Sequence, residues 1–174
     1  MRKIVLLAIV AVLFCAVAVA QNDPKAEVYV GYNYAHATYG VPGAPSMNLN
    51  GWTVQATGYV TKHIGVTADF GSVYGDFAGE PVKVHGYLFG PTFRFPKDKI
   101  KGFAHVLVGD MQFSLPPISA STMNGFGMAV GGGLDYNLTK RIGLRVAQGD
   151  YVYTHIFTLT QNNFRYSSGI VFKF

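Results

Sequence analysis

Five histidines, His36, His63, His85, His105 and His155, are the side chains best suited to proton transfer or metal binding near neutral pH, so their spacing is the first test of what this chain can do. They are scattered, with no two at ligand spacing, and the sole cysteine, Cys15, supports neither a thiolate metal site nor a disulfide framework. A hydrolytic centre would need a nucleophile, a base and an orienting acid brought together. His36 and His155 stand beside segments that hold Ser46, Ser119 and Ser121, yet no His-x-Ser arrangement occurs, and His36-Ala37-Thr38 is a poor substitute. The expectation is therefore a non-enzymatic chain with no catalytic residues, no metal site and no cofactor.

A second set of polar residues is more orderly. Glu27, Asp69, Arg94, His105, Asp135, Arg145, Arg165 and Lys173 each occur singly inside stretches where apolar and small or polar residues alternate. Alternation with period two is the mark of a strand whose faces meet different surroundings. In EVYVGYNYA, residues 27–35, Val28, Val30, Tyr32 and Tyr34 share one face. In GWTVQATGYV, 51–60, Trp52, Val54, Ala56 and Val60 oppose Thr53, Gln55 and Thr57. In IGVTADFGS, 64–72, Ile64, Val66, Ala68 and Phe70 oppose Gly65, Thr67 and Asp69. A helix is excluded there because nothing recurs at three and four and glycines fall in the interior.

Five further segments follow. The fourth, about 82–95, sets Tyr87, Phe89, Phe93 and Phe95 against Gly90, Thr92 and Arg94, and Pro91 predicts a bulge or a gap in pairing. The fifth, 103–111, is apolar on both faces at its centre, and we orient it with His105 inward. The sixth, 125–137, sets Phe126, Met128, Val130, Leu134 and Tyr136 against Gly127, Ala129, Gly131, Gly133 and Asp135. The seventh, 141–154, starts with Ile142, Leu144 and Val146 opposite Gly143, Arg145 and Ala147; past Gln148 its phase is open, with a bulge expected at Gly149. The eighth runs from Asn163 to the end, with Tyr166, Ser168, Ile170, Phe172 and Phe174 on one face and Arg165 and Lys173 on the other. Long connections at 38–49, 75–81, 112–124 and 155–162 alternate with short ones at 61–63, 96–101 and 137–140.

Composition agrees with many strands and an unusual surface. Only 13% of the 174 residues are charged, about half the share of an ordinary soluble domain, and 14% are aromatic. Residues 1–20 read as a cleavable secretory signal: Arg2 and Lys3, an apolar run, and Ala18-Val19-Ala20 before the cut. A retained anchor and a lipoprotein at Cys15 are the alternatives, the second opposed by bulky Phe14. Residues 21–174 then form one domain. Without Arg2 and Lys3 the 14 basic residues become 12 against 9 acids, a formal charge of +3, which argues against nucleic acid as a partner.

Alternation cannot by itself say which face is buried, since a soluble barrel such as a lipocalin would turn its apolar face inward. The bulky aromatics on one face, the small residues and lone charges on the other, and aromatics gathered near strand ends favour the membrane: Trp52 and Tyr34 at one rim, and Tyr136, Phe95 and Phe174 at the other. The opening strand EVYVGYNY, the LFGPTFRF segment, the GGGLDYNLTKRIGLRV hairpin and the SSGIVFKF ending resemble the small outer-membrane barrels of the OmpA/OmpX type over residues 26–174. The resemblance implies an all-β, eight-stranded antiparallel up-and-down transmembrane β-barrel with both termini on the periplasmic side, located in the outer membrane; no peptidoglycan-binding module is expected to follow, because the sequence stops at the eighth strand.

Several expectations depend on that layout. Glu27, Asp69, Arg94, His105, Asp135, Arg145, Arg165 and Lys173 should neutralise one another in a lumen filled by side chains, as a structural plug, or as the ion-pair gate proposed for the family. Tyr166, Ile170, Phe172 and Phe174 should be the signal read by the barrel-assembly machinery. Lys62, Lys97, Lys99, Lys101, Lys140 and Arg141 should form a basic periplasmic rim against anionic lipid. The first and third long loops carry no charge, which leaves Tyr39, Met47, Leu115 and Ile118 for contact with an unknown surface ligand. The resulting reading is a structural, envelope-integrity protein, with a small gated pore or a loop-mediated adhesin as alternatives.

Overall fold

The computed structural model describes residues 25–38, 46–77, 80–114, 123–156 and 159–174. Residues 1–20 of the expected signal, and Tyr39, Leu115, Ile118, Ser119 and Ser121 of the long connections, lie outside them. Eight strands form among the described residues: β1 (Ala26–Ala37), β2 (Met47–Tyr59), β3 (Ile64–Phe77), β4 (Glu80–Lys97), β5 (Ile100–Ser114), β6 (Met123–Asn137), β7 (Ile142–Ile156) and β8 (Leu159–Lys173). Each pairs antiparallel with its neighbour in sequence, and β1 pairs with β8, with Glu27 opposite Lys173 and Val30 opposite Ile170. Lys25 N–H donates to the Phe174 carbonyl, and Phe174 N–H to that of Ala26, so the seam is bonded to the last residue. Closure leaves no sheet edge, the condition for a backbone surrounded by hydrocarbon.

The short turns are locally encoded. Thr61 Oγ1 accepts the backbone N–H groups of His63 and Ile64 at 3.2 and 3.0 Å, and Thr139 Oγ1 accepts those of Arg141 and Ile142 at 3.2 and 2.9 Å. The same Thr-Lys-x-Ile-Gly stretch thus makes the same turn twice, a threonine hydroxyl replacing a ladder bond. Between β4 and β5, Asp98 occupies the left-handed region at φ 46°, which aspartate tolerates better than most residues.

Three features depart from the pattern read off the sequence, and a fourth follows it. The second and fourth long connections are mostly strand: β3 and β4 stay paired to Phe77 opposite Glu80, and β7 and β8 to Ile156 opposite Leu159. Pro81 lacks an N–H yet still pairs opposite Asp76 near the end of its ladder, and no register shift interrupts either hairpin in those stretches. At Pro91 the gap, one of the two outcomes expected there, is what forms: β4 and β5 keep one register on either side of it, and Gly90 and Pro91 drop out of their ladder, as a missing N–H requires. The bulge in β7 falls at Val146–Ala147 and not at Gly149. Arg145 pairs with Gly169 and Gln148 with Ser167, leaving two residues opposite Ser168, whose hydroxyl donates to the Arg145 carbonyl at 3.0 Å. Finally, Met47 belongs to β2 and packs against the inward Leu49 cluster, so it is not a loop contact.

The side-chain distribution is inside out. Asp69 and Asp150 are 1% exposed and Gln148 0%, whereas Phe89 is 61% and Phe95 62% exposed on the outer wall. Leaving a Phe or Leu in water forgoes roughly 1.5–3 kcal/mol per side chain. Repeated around the barrel, that distribution is stable only with hydrocarbon outside.

Candidate functional site: a salt-bridged lumen

The inward face carries two charge networks. Nearer the short turns, Glu27 on β1 accepts from Arg94 Nη1 on β4 at 3.2 Å and from the Tyr59 hydroxyl on β2 at 3.0 Å. Arg94 lies over the Tyr59 ring at 3.8 Å, and its Nε donates to the Lys62 carbonyl. Lys101 Nζ lies 3.7 Å from the same Glu27 carboxylate, with only 12% of its side chain exposed. Lys101 is therefore inside the lumen and not on the basic rim: residue 101 lies one position beyond outward Ile100 on β5, and alternation turns it inward. Lys62, Lys97, Lys99, Lys140 and Arg141 are exposed at the turn end. Lys173 Nζ, on β8, donates to Asn137 Oδ1.

The deeper network crosses the lumen. Arg145 on β7 holds Asp135 on β6 with two bonds, at 2.8 and 3.1 Å, and donates through Nη1 to Gln55 Oε1 on β2 and to Gln148 Oε1. Its guanidinium lies 4.2 Å from the Tyr29 ring centroid and 4.0 Å from that of Phe103, as weakly hydrated arginine allows. Gln148 Nε2 donates to Asp150 Oδ2 at 2.8 Å; Arg165 on β8 donates to Asp150 and to Asp69 on β3 at 2.8 and 2.7 Å; and Gln55 Nε2 reaches Asp69 at 3.3 Å. Those bonds form a ring, Arg145, Gln148, Asp150, Arg165, Asp69, Gln55 and back to Arg145. His105 Nε2 lies 2.8 Å from Asp150 Oδ1, and Thr53 donates to Asp69. A Thr57, Thr67 and Thr92 hydroxyl ladder, at 2.7 and 2.6 Å, fills the wall below.

All eight lumen residues singled out in the sequence are buried on the inner face: Asp69, His105, Asp135, Arg145 and Arg165 in or on the ring, Glu27, Arg94 and Lys173 toward the turns. Sequence reasoning missed Asp150 and Gln148, the two links that close the ring. The bulge restores them to the inside, and the outward Tyr151 and Tyr153 that follow Asp150 were the available signal. It also missed that much of the inner wall is apolar. Leu49, Val73, Val82, Val84, Leu88, Leu107 and Val152 face inward toward the long connections, from strands that are apolar on both faces.

Among the described residues, one serine meets a histidine ring, Ser72 with His85 Nδ1 at 2.6 Å, across β3 and β4. Ser72 is 4% exposed and no carboxylate bonds His85, so the pair lacks both access and an orienting acid. No group of three metal-ligating residues converges among the described residues. Tyr166, Ile170, Phe172 and Phe174 stand exposed on the outer face of β8.

A closed up-and-down barrel with hydrocarbon-suited residues outside and paired charges inside is a transmembrane β-barrel. The family model described as outer membrane protein beta-barrel domain matches residues 7–173, nearly the whole sequence, and the chain belongs to that family. Solved structures of similar fold include Neisserial surface protein A, NspA, at 14% identity, covering 86% of this chain and 97% of that one with a TM-score of 0.70. Ail, the attachment invasion locus protein of Yersinia pestis, is 16% identical, with 86% and 99% covered and a TM-score of 0.58. The outer membrane protein OprG from Pseudomonas aeruginosa is 11% identical, with 89% and 99% covered and a TM-score of 0.55. At those identities the likeness is one of fold. No curated protein matches the sequence.

Proposed function

We propose that this chain is a non-enzymatic structural protein of the outer membrane whose lumen is plugged. The observation that carries the reading is the ring from Arg145 through Asp150, Arg165 and Asp69 to Gln55, which joins β2, β3, β7 and β8 across the lumen. Eight strands leave an interior that side chains can fill, and fully paired buried charges rigidify what they span. Planar-bilayer recording tests this: wild-type protein should show no discrete conductance steps, while Asp69→Ala combined with Arg165→Ala should introduce them. Steady channel openings in wild type would favour the gated-pore alternative. A surface-ligand role depends on the long connections and is tested by cell binding before and after trimming 39–45 and 115–122.

Three partners follow from the same reading. The aromatic outer face of β8, ending in Phe174, suits recognition by the barrel-assembly machinery. The outer wall contacts membrane lipid. The exposed turn-end Lys62, Lys97, Lys99, Lys140 and Arg141 suit anionic headgroups, each basic side chain contributing about 1 kcal/mol near such a surface. Replacing Lys97 and Lys99 by glutamine should slow insertion into anionic liposomes and not into neutral ones, and equal slowing in both would discount the lipid contact.

A further inference from the structure

Above the plug, toward the long connections, the lumen opens into a cavity of about 70 Å³, lined by Leu49, Val73, Val84, Leu88, Met111 and Val152 among other apolar side chains, with Arg165 where it meets the plug. Two polar lining residues have no hydrogen-bond partner for a side-chain oxygen: Asn33 Oδ1 and Thr154 Oγ1, on residues 3% and 0% exposed. Buried polar atoms are ordinarily paired, and an unmade bond there costs about 1–3 kcal/mol. Of the four buried side-chain oxygens without a partner among the described residues, these two belong to residues that line the cavity, and Tyr29 Oη and Ser167 Oγ do not.

We infer that the cavity is a binding site for a small uncharged molecule with an apolar body and one hydrogen-bond donor, such as a short alcohol or primary amide. The size fits: at roughly 15 Å³ of such space per water, there is room for about five water-sized groups. The walls supply mainly dispersion and apolar burial, with Ser72, Gln161, Asn163 and Arg165 the other polar lining residues. The orphans set the polar end, because Asn33 Oδ1 accepts and Thr154 Oγ1 can accept, so an N–H or O–H is wanted. Charge disfavours an anion. The carboxylates Asp69 and Asp150 share the single guanidinium Arg165 beneath the cavity, with the His105 imidazole on Asp150. The site lies above the plug and does not depend on whether the plug conducts.

Isobutyramide and isobutyrate are matched in size and shape and differ in donor and charge. With the full chain in lipid nanodiscs, methyl NMR should show saturable shifts at Met111, Leu88 and Val152 on adding isobutyramide, and none with isobutyrate at the same concentration. Thr154→Val keeps the shape and removes the hydroxyl, and should weaken isobutyramide about five- to tenfold, the worth of one hydrogen bond. Its folding is checked by the same methyl spectrum before ligand is added. No saturable shift, as expected if an acyl chain of the bilayer filled the space, would overturn the inference. So would equal binding of isobutyrate, or unchanged affinity in the Thr154→Val protein.

Discussion

Asp150 shows how much a single side chain can carry in a lumen. Its carboxylate is bonded by Arg165, His105 and Gln148, and the strand beside it makes room: a Cβ on Gly131 would lie 2.2 Å from Asp150 Oδ1. Asp150→Ala leaves Arg165 with Asp69 alone and strips His105 of its partner. We expect it to destabilise the barrel by about 3 kcal/mol in urea unfolding from lipid vesicles, at the low end for a broken buried pair because one partner survives. Asp150→Asn keeps part of the hydrogen bonding and should cost less; an Asn variant as unstable as the Ala one would show that charge, and not bonding, dominates. Gly131→Ala should lower the unfolding midpoint without touching any charge, since the added methyl meets both that carboxylate and the Gly149 carbonyl. Seven of the eight lumen residues named from sequence were legible because each is a lone charge at an inward phase, and His105 because it is the one titratable side chain at the centre of an apolar strand. Asp150 was not, because its phase depends on a bulge.

The bulge is the element that decides the second half of β7. Val146 and Ala147 together take one outward phase; without that bulge, or without both residues, strict alternation from Arg145 would carry Gln148, Asp150, Val152 and Thr154 to the lipid side. Deleting Val146 and Ala147 together should therefore abolish assembly, read as loss of the heat-shiftable folded band in detergent gels, whereas Ala147→Val should keep it. A folded band from the deletion would mean that β7 can re-register at its open end. At the seam, Phe174 joins β8 to β1 through its backbone, and its ring stands in the outer belt. Removing it should reduce membrane yield more than it lowers the urea midpoint of protein already folded; normal yield would remove the assembly role. Lys101, turned toward Glu27, belongs with the lumen, so Lys101→Gln should alter stability and leave the lipid dependence of insertion unchanged.

At the scale of the molecule, stability and location share one cause, closure of the sheet within hydrocarbon. The detergent-extracted protein should run faster unboiled than boiled, because a closed ladder with no edge resists detergent; identical mobility would contradict a folded barrel. The sequence by itself determined the strand count, the outward face of nearly every strand, the class of barrel and the lone inward charges, because period-two alternation is a local property that neighbouring residues express without knowledge of the rest. It set too short the strands running into the second and fourth connections; in the second, Gly75 and Pro81, turn residues by local reading, stay paired across the ladder. Only the tertiary structure decided how the charges pair, where the bulge restores Asp150 to the ring, that Lys101 lies inside, and that an apolar cavity sits above the plug. Those depend on which side chains meet across the lumen from strands far apart in sequence, as Arg165 meets Asp69, and distance along the chain does not encode that meeting.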